Sequence, residues 1–194
     1  MSETSTAPLT REFEGAEVPL PGTYTIDSGH SAVSFSVRHM MVSKVRGQFA
    51  PPEGTFTVAE NPLESAVAVD IDWSSVTTGE PKRDEHLRSP DFFHVEKFPK
   101  ITYRSTGVRH IKGEDWALDG ELTVQDVTRP VSLDLEFNGA ERDPWGNVKA
   151  GFSGTTKINR EDFGLNYNAV LETGGVLVGK DVNIEIEIEA KLEG

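Results

Sequence analysis

The closest match to a motif with known chemistry is a glycine-rich stretch near the C-terminus. Residues 174–180 have the Gly-x4-Gly-Lys spacing of a loop whose backbone amides hold phosphate groups. That loop needs Ser or Thr at the next position, to bind magnesium, and it must open a helix. Here the next residue is Asp181, and the residues after it alternate as a strand does. The stretch is therefore predicted to be a turn that leads into the last strand.

Histidine offers the other possible metal-binding or acid–base chemistry, because the chain has no cysteine and so no thiolate site or disulfide. No two histidines are two or four residues apart, the spacings that favour a shared metal ion. We therefore predict no metal site and no cofactor. His39 is either a hydrogen-bonded core residue or a contact to the polar group of a ligand. His39 and His86 are also the acid–base candidates if the protein is an enzyme.

The overall charge restricts the partners. The formal net charge is -13, which does not favour general attraction to nucleic acid or to anionic lipid. An anion site would need a local basic cluster. The candidates are Lys44, Arg46, Lys82, Arg83 and Arg88, and the alternative is that they form surface ion pairs with residues such as Asp84, Glu85 and Asp91.

The elements that would position these residues are mostly strands. Apolar and polar residues alternate with period two, which is typical of antiparallel strands with one buried face. The alternation is clearest over residues 30–39, 67–73, 116–124, 131–137 and 182–188, and it is weaker around 45–58, 101–108 and 148–158. About eight such strands most simply close into a barrel, which removes the sheet edges. A two-sheet sandwich is the alternative.

The ends of the chain set the domain boundaries. Residues 1–21 are rich in Ser, Thr, Glu and Pro and show little periodicity, so we predict a flexible arm followed by one barrel domain over residues 22–194. No apolar run approaches the roughly 20 residues that span a bilayer. The N-terminus also lacks the basic and apolar regions of a secretory signal, which predicts a cytoplasmic location.

One segment, residues 80–93, interrupts the strand pattern. Pro81 suits the first turn of a helix and Ser89-Pro90 ends one, which predicts a short helix near residues 80–89. In an all-β protein, such a break is a natural place for a binding segment. We expect Leu87, Phe92 and Phe93 to face the interior, Lys82 and Arg83 to face water, and Arg88 or His86 to lie near a polar group of the ligand.

Several motifs in order resemble the YceI-like proteins. They are Tyr24-Thr25-Ile26-Asp27, residues 30–39, Gly47-Gln48-Phe49, residues 75–78 with 83–93, residues 98–103, residues 120–124 with 128–131, and Asp143-Pro144-Trp145-Gly146. The resemblance implies an extended, lipocalin-like antiparallel β-barrel. It also implies a long isoprenoid ligand in the pore, such as a polyprenyl phosphate or an isoprenoid quinone, and a possible homodimer. Many members of the family are periplasmic.

We therefore predict that the protein is not an enzyme and that it binds and carries or sequesters an isoprenoid lipid. The alternatives are an enzyme acting on a lipid or quinone, and an interaction module with a packed core and no ligand. The candidate ligand-binding residues are Val33, Phe35, Val37, His39, Phe49, Phe56, Val69, Ile71, His86, Leu87, Arg88, Phe92, Phe93, Tyr103, Trp116, Leu122, Leu135, Phe137 and Phe152.

Overall fold

The computed structural model describes residues 7–194, which form twelve strands and one α-helix in that part of the chain. The strands are β1 (Thr10–Phe13), β2 (Ala16–Pro19), β3 (Gly22–Ile26), β4 (Ala32–His39), β5 (Ser43–Phe49), β6 (Glu53–Val58), β7 (Ala66–Asp72), β8 (Lys100–Lys112), β9 (Asp115–Val124), β10 (Val127–Arg142), β11 (Val148–Asn159) and β12 (Val178–Leu192). Helix α1 spans Pro81–Arg88, and short 3-10 turns occupy Pro62–Glu64, Trp73–Ser75 and Arg160–Phe163. Within residues 7–194, no helix has both the length and the apolar character needed to cross a bilayer.

Eight of the strands close into an antiparallel barrel. Their order is β11-β10-β9-β8-β7-β6-β3-β12, and β12 pairs with β11 to complete the ring. The long strand β12 also pairs with β4 along Val178–Glu187, so the β4–β5 hairpin extends the wall beyond the end of β3. The predicted barrel of about eight strands is confirmed.

The facing of the strands follows the period-two pattern. On β12, Val182, Ile184 and Ile186 point into the barrel, whereas Glu185 and Glu187 are exposed. The apolar face is therefore removed from water and the carboxylates stay hydrated, as the sequence pattern requires.

Helix α1 is the predicted insert. Pro81 occupies its first turn, and the Glu80 side chain accepts a hydrogen bond from the Lys82 amide at 3.0 Å. The helix ends at Arg88, and Ser89 caps it before Pro90. Asp84 is buried and fastens the helix to the preceding loop, because it accepts bonds from the amide and the hydroxyl of Thr78 at 2.8 and 2.6 Å.

The prediction of a flexible arm over residues 1–21 is wrong for residues 10–19, while residues 1–6 lie outside the described part. Strands β1 and β2 form a hairpin whose Ala16 and Val18 are buried with Trp116. Arg11 anchors it by donating to the carbonyl oxygens of Ala59 and Glu60, both at 2.6 Å. The hairpin is ordered by packing on the barrel rather than by its own short strands, which bury little alone.

Two of the clusters of buried side chains lie toward opposite ends of the barrel. At the end that carries α1, which we call the helix end, Trp73, Val76 and Phe163 pack together. Toward the opposite end, Tyr24, Val58, Phe137, Ala150 and Ala190 form a second cluster. Between them, Tyr103, Leu118 and Leu133 form a further cluster, and side chains of all three clusters line the cavity described next.

Candidate ligand-binding cavity

A cavity of about 810 Å³ runs through the barrel. Apolar side chains from both ends and from the middle of the barrel line it, including Val58, Leu133, Ile186 and Phe163. The volume lies in the upper part of the roughly 300–1,000 Å³ range of small-molecule sites. The barrel therefore encloses an apolar cavity. Its interior is not a packed core without room for a lipid chain, which was one of the alternatives.

All but one of the sequence-predicted site residues line this cavity. Those that do are Val33, Phe35, Val37, His39, Phe49, Phe56, Val69, Ile71, His86, Leu87, Phe92, Phe93, Tyr103, Trp116, Leu122, Leu135, Phe137 and Phe152. The period-two pattern assigned to the inner face Val33, Phe35, Val37, Val69, Ile71, Trp116, Leu122, Leu135 and Phe137, and the structure places them there. Whether they contact a ligand stays a prediction.

Arg88 is the exception: of the two residues Arg88 and His86, one of which we expected near a polar group of the ligand, His86 lines the cavity and Arg88 does not. Its Nε donates to the carbonyl oxygen of Ser74 at 2.8 Å, and its Nη2 donates to that of Val76 at 2.7 Å. Both acceptors precede α1, Ser74 in the 3-10 turn and Val76 directly after it. Arg88 therefore fastens the last turn of the helix to the barrel wall.

The aromatic pair after the helix forms part of the cavity wall. Phe93 stacks on Trp73 with a ring-centroid distance of 4.2 Å, and Phe92 lies 5.0 Å from the ring of Tyr167. Both phenylalanines are about nine-tenths buried, at 8% exposure each. They form an apolar part of the cavity wall at the helix end.

Charged side chains reach the cavity mainly at the helix end. The charged residues in the lining are Arg38, Glu80, Lys82, Arg83 and Arg160, and the two lining histidines, His39 and His86, are at the same end. Four cations therefore face one carboxylate. This local excess of positive charge contrasts with the net charge of -13 for the whole chain.

The first basic residues of α1 are exposed, as predicted, yet they also border the cavity. Arg83 donates from Nε to the Thr78 hydroxyl at 2.7 Å and from Nη2 to the Thr78 carbonyl at 3.1 Å. Lys82 and Arg83 are thus exposed to water and at the same time lie at the rim of the cavity. His86 lies deeper, with Nε2 2.8 Å from Asp91 Oδ2 and its ring 4.9 Å from that of Tyr167.

Arg160 is the main residue that the sequence analysis missed. It is only 4% exposed, and its guanidinium donates to the carbonyl oxygens of Leu165, Tyr167, Val178 and Gly179 at 2.5 to 3.3 Å. Burial lowers the pKa of this guanidinium from its usual value. Because all four acceptors are backbone atoms, no motif marks the site. Arg160 holds residues 165–179 against the end of the barrel.

Among the residues that the structure describes, one group outside the cavity has the spacing of metal ligands. Oxygen or nitrogen atoms of Asp27, His30 and Glu189 lie within 4.8 Å of one another. The ammonium group of Lys149 already donates to Asp27 and, at 3.3 Å, to Glu189. The two carboxylates of this group therefore already have a cationic partner supplied by the protein.

Comparison with known proteins gives a consistent family. The family model described as "YceI-like domain" matches residues 24–190. A UPF0312 protein of Staphylococcus aureus strain N315 is 38% identical over 171 residues, which cover 86% of this chain and 95% of the relative.

Solved structures show the same barrel. The Campylobacter jejuni YCEI protein superposes with a TM-score of 0.69 at 30% identity, over 81% of this chain and 90% of that one. Burkholderia cenocepacia BcnA has a TM-score of 0.74 at 18% identity, over 84% and 98% of the two chains. A polyisoprenoid binding domain from Saccharophagus degradans has a TM-score of 0.62 at 15% identity, over 88% and 98%. The last two similarities establish a shared fold.

Proposed function

The chain belongs to the YceI-like domain family, and from this premise we propose that it binds a long isoprenoid lipid in its barrel and carries or sequesters it. The ligand would be a polyprenyl phosphate or an isoprenoid quinone. The observation that carries the proposal is the apolar cavity of about 810 Å³. The Saccharophagus degradans neighbour, described as a polyisoprenoid binding domain, supports this class of ligand.

The energetics favour a lipid over a small polar ligand. Each buried methylene contributes about 0.8 kcal/mol, so roughly 25 of them reach the practical ceiling of about 20 kcal/mol for non-covalent binding. Ordering of the chain and the lipid's own aggregation in water reduce the net affinity. Burial of the tail therefore supplies ample but non-directional affinity, which suits a protein that must also release its ligand.

The uneven distribution of charge gives the ligand an orientation. An apolar tail fits the wall formed by residues such as Val69, Leu135 and Ile186, whereas a polar head group fits the helix end, where Lys82 and Arg83 lie at the rim. An anionic head would gain most there, because charge-assisted hydrogen bonds are roughly twice as strong as neutral ones.

A variant that fills the cavity tests the proposal. Gly154 lines the lumen, and a methyl group there would meet its nearest neighbours at an ordinary 3.7 Å, so Gly154→Leu adds bulk inside without a backbone clash. Gly151→Leu places the same side chain on the outer face of the same strand, where a methyl group would lie 3.6 Å from Asn138. Native mass spectrometry and organic extraction of the purified proteins measure the bound lipid.

The expected result is a long isoprenoid lipid in the wild type and in Gly151→Leu, with several-fold less in Gly154→Leu at equal folding. Wild-type protein that yields no apolar molecule, even after incubation with polyprenyl phosphate and ubiquinone, would contradict the proposal. Chemical turnover of the lipid, abolished by His39→Ala or His86→Ala, would instead favour the enzyme alternative. Intact recovery favours a carrier.

A further inference from the structure

The turn between β4 and β5 exposes apolar side chains to water. Met40, Met41 and Val42, which we call the methionine tip, are 44%, 61% and 80% exposed. Val170, on the turn that packs beside Met41, is 83% exposed. Single exposed apolar residues are common, but a contiguous group at a protruding turn marks an interaction surface more often than chance exposure does.

The backbone of the tip makes its sequence unusual. The Val42 amide donates to the His39 carbonyl at 3.1 Å, and Met40 and Met41 have φ values of 51° and 62°. This is the geometry of a type I′ turn, which Asn-Gly fits best because both central residues need positive φ. Two methionines are therefore disfavoured here for two reasons: their backbone must adopt positive φ, and their apolar side chains are exposed to water. The fold itself does not account for them.

The strands beneath the tip are basic. Residues 28–52 contain Arg38, Lys44 and Arg46 and no Asp or Glu, in a chain with 32 acidic residues. Arg38 and Lys44 are directly opposite each other in the β4–β5 ladder, and like charges in such pairs are destabilising. Within residues 7–194, none of the three cations pairs with a carboxylate. An external anionic surface would relieve this repulsion.

We propose that the methionine tip inserts into an anionic lipid bilayer while Arg38, Lys44 and Arg46 contact the head-group phosphates. Apolar side chains at a turn, with Arg38 and Lys44 two residues away on either side and Arg46 four residues away, match the layering of acyl chains beneath anionic head groups. A second copy of this chain fits less well, since a stable dimer buries about 1,200 Å² or more and the tip offers three residues.

The tip adjoins the helix end of the cavity. His39, the residue before the turn, lines the cavity, and so does Leu177, whose carbonyl accepts from the Met40 amide at 2.9 Å. A docked tip would therefore bring the charged end of the cavity to the membrane surface, where a lipid could enter or leave. This role in lipid exchange rests on the function proposed above, but the docking itself does not.

The double variant Met40→Asn with Met41→Gly gives a sharp test, because it removes the apolar tip and supplies the residues that the turn prefers. Flotation with vesicles measures binding, using phosphatidylcholine alone or mixed with phosphatidylglycerol. We expect the wild type to bind the mixed vesicles, and added salt to weaken that binding. The double variant should bind about tenfold more weakly, with a Tm equal to or higher than that of the wild type.

Two further variants separate the contributions. Lys44→Gln with Arg46→Gln should reduce binding to the anionic vesicles by about fivefold for each removed cation and leave binding to phosphatidylcholine unchanged. Gly154→Leu, which fills the cavity, should bind vesicles as the wild type does. Loss of cavity lipid, expected for Gly154→Leu, is thereby distinguished from loss of membrane docking, expected for the tip and cation variants.

Three results would overturn the inference. They are no wild-type binding to anionic vesicles, equal binding by the Met40→Asn, Met41→Gly variant, and burial of the tip in a dimer. The last would appear in light scattering as a wild-type dimer that this double variant converts to a monomer, without vesicle binding by either.

Discussion

The ring of Phe35 lies against Gly47 on the neighbouring strand, where a methyl group on Gly47 would come within 2.7 Å of Phe35 Cε1. The absence of a side chain at Gly47 lets the ring lie along the inner wall. Phe35 then reaches Phe49 at a centroid distance of 5.4 Å, and Phe49 lies 6.0 Å from Phe93. This contact series joins the β4–β5 hairpin, which carries the methionine tip, to Phe93 at the helix end of the barrel.

Gly47→Ala should therefore destabilise the protein. The new methyl group must displace the Phe35 ring, and overpacking of this kind costs about 1–3 kcal/mol in the free energy of unfolding. Denaturant titration followed by tryptophan fluorescence measures the change. Gly151→Ala is the control, because its methyl group makes an ordinary 3.6 Å contact on the outer face and should be neutral or stabilise by about 0.5 kcal/mol. Equal stability of the two variants would show that Phe35 moves freely.

Substitutions on the two faces of the barrel should differ strongly. Leu135→Asp and Val69→Asp each place a carboxylate without a partner on the apolar cavity wall, which should cost several kcal/mol, about 2 or more. Glu187→Lys changes an exposed residue that accepts one hydrogen bond, at 2.8 Å, from the Ser153 hydroxyl, and should cost about 0.5 kcal/mol. Thermal unfolding compares the three variants, and similar shifts in Tm on both faces would contradict the assignment.

Arg160→Lys should be far from conservative. Lysine has three donors on one nitrogen and does not reach four carbonyl oxygens spread over residues 165–179. Each buried carbonyl that loses its partner should lower the free energy of unfolding by about 1–3 kcal/mol. Amide hydrogen exchange should show loss of protection over residues 165–179 first. Lys157→Arg, at an exposed ion pair with Asp181, is the matched control and should leave exchange unchanged.

The Asp27–Lys149 pair should contribute to stability in a defined pH range. The hydrogen bond from Lys149 lowers the pKa of Asp27 to about 2, and the bond to His30 adds to this effect. A carboxyl whose pKa is lower in the folded state stabilises the protein above its unfolded pKa of about 3.9, and that contribution is lost as the pH falls toward 2. Because Asp27 is partly exposed, at 23%, we expect only about 1 kcal/mol.

Asp27→Asn should remove that pH-dependent part. The difference in unfolding free energy between wild type and variant should shrink between pH 5 and pH 2, as measured by urea titration at each pH. A difference that stays constant over this range would show that the pair does not titrate with folding.

The sequence by itself determined the facing of the strands and the place of the helix. Period-two alternation is a local property, since each apolar side chain either faces the core or does not, and it correctly put Val33, Ile71 and Leu135 inside. Pro81 and Ser89-Pro90 likewise bound α1 through restrictions on neighbouring backbone angles. These signals need no knowledge of distant residues.

The tertiary structure decided what the sequence could not. Arg88 and Arg160 bind carbonyl oxygens, and these acceptors have no residue type to reveal them. The β1–β2 hairpin depends on Trp116, about a hundred residues away in sequence, to cover Ala16 and Val18. Whether inward side chains fill a barrel or leave a cavity of about 810 Å³ depends on the summed volumes of eight strands at their actual spacing. The cavity volume is a property of the closed barrel, so the sequence of a single strand does not determine it.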